Sequence, residues 1–73
     1  MEYDEEINEL LSQAESLAEG LSDLGFKLLR EGFSKRDESS IAFEKDVAKA
    51  RRGVDKAIHL LKALEIKLTQ QRE

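Results

Sequence analysis

The chain has 73 residues, enough for one small domain, and a chain this short buries only about 60% of the surface its unfolded form exposes. With no cysteine and one histidine, disulfides and a structural zinc site are excluded, which leaves a partner chain to supply the stability a small core lacks. Charged residues make up 38% and aromatics 5%, and 16 acids against 12 bases give a net charge of -4. This balance argues against nucleic acid or an anionic membrane as the main partner, and it points to an interaction module rather than a free-standing enzyme.

The start, Met1-Glu-Tyr-Asp-Glu-Glu, is acidic where a secretory signal is basic, and no apolar run approaches the roughly 18 residues of a spanning helix. The expectation is a cytoplasmic protein with no membrane insertion. From Tyr3 the apolar positions alternate in steps of four and three: Tyr3, Ile7, Leu10, Ala14, Leu17, Leu21, Leu24, Leu28. This is a heptad seam and predicts a helix over about 3–31, with Leu11 and Ala18 widening the stripe. Gly20 and Gly25 lie inside it, each costing about 1 kcal/mol relative to alanine. They mark weak points or places where another helix backbone approaches.

Gly32 follows the last periodic residues and is placed to end the helix in the left-handed conformation. The stretch from Phe33 to Ser40 lacks helical apolar spacing and holds several potential N-caps, Ser34 with Asp37 among them. It predicts a turn over about 32–38. A second seam follows: Phe43, Val47, Ala50, Val54, Ala57, Leu61, Leu64, Leu68. It predicts a second helix over about 38–70, interrupted by Gly53. Two helices of nearly equal length joined by a short turn give an all-α fold, one antiparallel hairpin spanning 1–73. Charge agrees with that topology. Residues 1–20 carry seven acids and no base, while 41–73 carry five acids and eight bases, so folding back sets the acidic half beside Lys62, Lys67 and Arg72.

Apolar residues outside the seams locate the expected binding face. Ile58, Leu60, Ala63 and Ile66 flank Leu61, Leu64 and Leu68, and Tyr3, Ile7, Leu10 and Leu11 are expected across from them. A contiguous apolar patch of several hundred Å² marks a binding surface. The partner-binding residues are therefore expected to be Ile7, Leu11, Ile58, Leu60, Leu61, Leu64, Ile66 and Leu68. The surface is expected to be covered by self-association into a four-helix bundle or by a different helical chain. At the turn end Phe26, Leu29, Phe33 and Ile41 are expected to fold over the core as a cap.

Catalytic and ligand motifs are absent from the sequence. His59 stands between apolar Ile58 and Leu60 with no cysteine nearby, and the acidic pairs lack the Glu-x-x-His spacing of helical di-metal sites. No catalytic residue, cofactor or metal is expected. The basic group Lys45, Lys49, Arg51, Arg52 and Lys56 is interleaved with Glu44, Asp46 and Asp55 and lacks an aromatic stacking platform, so it reads as a solvated helix back.

The long acidic first helix, the turn after Leu29-Arg-Glu-Gly32, and the stretch Ala50-Arg-Arg-Gly-Val-Asp-Lys-Ala-Ile-His-Leu-Leu-Lys-Ala-Leu64 together resemble the helical-hairpin co-chaperones of type III secretion needle subunits, the YscE-like family. The resemblance implies a cytoplasmic co-chaperone that pairs with a larger helical-repeat chaperone and helps keep the needle subunit soluble and unpolymerised before export. A second resemblance is to the small, non-catalytic subunit of exonuclease VII, carried by Leu29-Arg-Glu-Gly32, Phe43-Glu-Lys-Asp-Val47 and Ala50-Arg-Arg-Gly53. That family has leucines where this chain has Ser34-Lys-Arg-Asp, and its first helix is shorter. The secretion co-chaperone is the leading expectation.

Overall fold

A computed structural model describes residues 2–35 and 38–71 of the chain. It is entirely helical: α1 spans Glu2–Lys35 and α2 spans Glu38–Gln71, each of 34 residues. At 1.5 Å per residue each helix is about 51 Å long. The two pack side by side along their length as an antiparallel hairpin, a flat rod with Cα extents of 58 × 15 × 10 Å.

Both helices outrun their predicted limits, and α1 does so most clearly. Gly32 is a buried helical residue, with helix continuing through Lys35, instead of the left-handed residue that stops it. Gly25 and Gly32 occupy the same side of α1 seven residues apart, facing α2, where the lack of a large side chain lets the helix axes stay close. Burial against the second helix offsets the propensity cost that would end an isolated helix here. The expected caps cannot be placed, because Asp37 and the side chain of Ser34 lie outside the described residues. Glu38 occupies the first turn of α2 and complements its dipole there, while the last turn carries no base. Lys62 and Lys67 precede that turn, and Arg72 is outside the described residues.

Two contacts fix the register. A Cβ added to Gly25 would sit 3.9 Å from Cγ1 of Val47, and Nη1 of Arg51 donates a hydrogen bond to Oγ of Ser22. Continued along the rod, this register brings Ala18 level with Val54 and Asp55, and Leu11 level with Leu61 and Lys62.

Half of the seam between the helices is one position away from the predicted one. On α1 the residues turned toward α2 are Ile7, Leu11, Ala14, Ala18, Leu21, Gly25, Leu28 and Gly32. Half of the predicted seam is retained (Ile7, Ala14, Leu21, Leu28), but the other half is replaced by residues four beyond each of these. Leu11 is 8% exposed, whereas its neighbour Leu10 is 50% exposed. The same substitution occurs on α2: Val47, Val54, Leu61 and Leu68 stay in the seam, and Ile58 and Glu65 turn inward where Ala57 and Leu64 were expected. Small residues explain the choice. Ala18, Gly25 and Gly32 permit closer approach of the helices, and thus more dispersion contact along both, than Leu17, Leu24 and Glu31 would. Among the described residues the buried apolar side chains are Ile7, Leu11 and Ala18.

Candidate interaction face

A residue three beyond a seam position lies 60° to one side of it, and one four beyond lies 40° to the other. Each helix uses the second set inside the hairpin and leaves the first set outside. Because the helices run antiparallel, both unused stripes fall on the same flat side of the rod. Tyr3, Leu10, Leu17 and Leu24 from α1 and Phe43, Ala50, Ala57 and Leu64 from α2 form it, and all eight are exposed. The opposite side carries Asn8, Glu15 and Ser22 from α1 and Asp55, Lys62 and Thr69 from α2. There Arg51 Nε lies 3.7 Å from Asp55 Oδ2, and Thr69 Oγ1 donates to the carbonyl of Glu65 at 3.0 Å. The hairpin therefore has an apolar face and a largely polar back.

Between the two stripes runs an open groove of about 540 Å³ lined by Leu10, Gln13, Ala14, Leu17, Ala57, Leu60 and Leu61. Its floor is the outer edge of the seam residues Ala14 and Leu61, and its walls are leucines that reach past the seam into solvent. Leu17 is 54% and Leu60 61% exposed. Exposed leucines in a continuous row are costly in water and are stabilised by a second apolar surface at roughly 25 cal/mol per Å² covered.

Of the residues expected to bind a partner, Leu60, Leu61 and Leu64 meet on this face. Ile7 and Leu11 do not: both are buried between the helices, because the small residues in line with Leu11 draw the hairpin closed on that side. Ile58 and Leu68 are half-buried in the seam. Ile66 is 58% exposed but lies about 200° around α2 from Leu64, on the outer back of the helix. Leu10, Leu17 and Ala57, expected in the hairpin seam, stand on this face instead. The signal was present: Leu11-Ala18-Gly25-Gly32 is a second heptad row beside Leu10-Leu17-Leu24, and its decreasing size marks it as the close-packed one.

The turn end also differs from expectation. Phe26 is 68% exposed and Ile41 lies at the surface, so neither folds over the core as a cap. Leu29 is half-buried and, with Phe26, Val47, Ala48 and Arg51, lines a shallow hollow of about 150 Å³ on the polar back. The side chain of Phe33 lies outside the described residues. Lys45, Lys49, Arg52 and Lys56 form a stripe spaced by four, three and four along the outer edge and outer back of α2, and all are exposed.

Among the described residues no group of histidine, cysteine or carboxylate side chains is arranged to hold a metal ion, and no helix is long and apolar enough to cross a membrane. No protein-family model matches the chain, and no curated protein or solved structure is similar enough to lend it a function.

Proposed function

We propose that this chain is a non-enzymatic interaction module that acts in the cytoplasm by laying its apolar face against the helices of another protein. The observation that carries this reading is the groove between Leu10, Leu17, Ala57 and Leu60, where both helices turn leucines away from their own seam. In its specific form the module is a co-chaperone of a type III secretion system. It binds a larger helical-repeat chaperone, and the pair masks the apolar surface of the needle subunit until export. The sequence resemblance supports that form. A narrow rod 58 Å long and 15 Å wide also suits the extended concave surface that stacked helix pairs present.

Co-expression with a helical-repeat chaperone and a needle subunit from the same genome tests it. A soluble complex of all three is expected, with the needle subunit precipitating when this chain is left out. Leu17→Glu or Leu60→Glu is expected to abolish the complex, a loss of at least a hundredfold in affinity at the centre of such a face, while the far-ultraviolet circular dichroism stays helical. A needle subunit equally soluble without the chain would remove the co-chaperone reading.

A further inference from the structure

The apolar face has rims of its own, and their chemistry identifies a ligand for it. Along α1 the residues bordering the face on its outer side are Glu6, Gln13, Gly20 and Lys27, spaced by seven; along α2 they are Asp46, Gly53, Leu60 and Lys67. In the hairpin register Glu6 is level with Lys67, Gly20 with Gly53 and Lys27 with Asp46. Within one chain these partners stand on opposite outer edges and point apart.

We propose that the face seats a second copy of this chain, related by a two-fold axis parallel to the helices, so that each α1 lies against the α2 of the other copy and all turns are at one end. This rests on the reading of the face as an interaction surface and names an occupant for it. The two-fold axis keeps every residue at its own level and exchanges the helices, so Glu6 meets the Lys67 of the other copy and Lys27 meets its Asp46. Each ion pair occurs twice in the assembly.

Charge also selects this arrangement over the alternative, in which α1 stacks on α1 and the turns lie at opposite ends. Within the described residues α1 carries nine acids and three bases, and α2 carries five acids and seven bases. The outer edge of α1 (Glu9, Asp23, with Arg30 near the turn) then runs beside the outer edge of the other copy's α2 (Lys49, Lys56). In the alternative each of these stripes would face itself. Every neighbouring pair of helices in the proposed four-helix bundle is antiparallel and opposite in charge sign.

Shape agrees as well. A Cβ added to Gly20 or to Gly53 would meet nothing within 4 Å in the hairpin, so neither glycine is required by contacts inside one chain. In the bundle the two meet at mid-length, where the absence of side chains lets the layers close over the leucines. The Cα extents of 58 and 15 Å enclose a plan area on the order of 900 Å², against the roughly 800 Å² per partner of a standard stable interface.

The chain has no cysteine, which makes the arrangement directly testable by thiol crosslinking. Gly20→Cys and Gly53→Cys variants are prepared separately, mixed in equal amounts and treated with a short bismaleimide. The mixture is expected to give a crosslinked two-chain product in several-fold higher yield than either variant alone, and Leu17→Glu added to each is expected to abolish it while helicity is kept. Sedimentation should show the wild-type chain as a dimer. Glu6→Lys should weaken the dimer several-fold at low salt, and Lys67→Glu in the same chain should restore it. A wild-type chain that sediments as a monomer through the millimolar range overturns the proposal. So does equal crosslinking by one variant alone, or rescue of Glu6→Lys by Lys27→Glu in place of Lys67→Glu. None of these results bears on docking to a different protein, which the charged-groove variants read out with that protein present.

Discussion

Neighbouring residues in this chain have opposite fates. Leu10 and Leu11 are both leucines in the same turn of α1, yet one stands in the open groove and the other is enclosed by α2. Leu11→Ala removes buried methyl groups and leaves a cavity, so it is expected to lower the unfolding free energy by about 2–4 kcal/mol. Leu10→Ala should change the stability of the isolated hairpin by less than about 1 kcal/mol, because its side chain is half in water, while weakening association through the face. Denaturant titration of the two variants at low protein concentration, followed by sedimentation, separates these effects. At Gly25 the space for a methyl group already exists at ordinary van der Waals distance from Val47. Gly25→Ala is therefore expected to raise stability by about 1 kcal/mol through helix propensity, measured as a higher denaturation midpoint with an unchanged slope. Arg51 reaches Ser22 across the seam and Asp55 along its own helix, but its side chain is 48% exposed. Arg51→Ala should cost less than about 1 kcal/mol.

Each helix carries more apolar positions than one neighbour can cover. On α1 the rows Leu10-Leu17-Leu24 and Leu11-Ala18-Gly25 both keep three-and-four spacing with Ile7, Ala14 and Leu21, so periodicity alone fits either row into the hairpin. The presence of two long helices, their antiparallel pairing and the excess of apolar surface were all legible in the sequence, because heptad spacing and the charge imbalance encode them. Which row packs inward was not. That choice depends on how closely two backbones approach, a property of the pair that spacing on one helix does not contain. The same limit explains Ile66: its nearness to Leu64 in sequence suggested a shared patch, and a two-residue step on a helix separates the side chains instead. Exchanging the rows should reverse the packing. The variant Leu17→Ala with Ala18→Leu is expected to lose the close approach, and its hairpin should melt at lower temperature even though composition is unchanged.

The described residues form a slab one helix thick, so none of them is more than one layer from solvent, and covering its apolar face is the main route to further stability. A melting temperature that rises with protein concentration over a hundredfold range is expected, since assembly contributes by mass action. A midpoint independent of concentration would show the hairpin standing alone. The placement of Ile7, Leu11 and Ala18 along the rod has a kinetic consequence. Pairs near the turn, such as Gly25 with Val47, close a short loop but fully bury only small residues (Gly25, Gly32, Ser40), whereas the buried Ala18, Leu11 and Ile7 lie from mid-length to the far pole. Contacts there close loops about twice as long, at an entropic cost of only about 0.6 kcal/mol more per doubling. A zipper that starts at the turn fully buries its first large apolar side chain, Leu11, only past mid-length, so partly closed hairpins are held weakly by half-buried side chains. The chain should fold in a single exponential phase, with a late transition state that already holds most of the native buried surface.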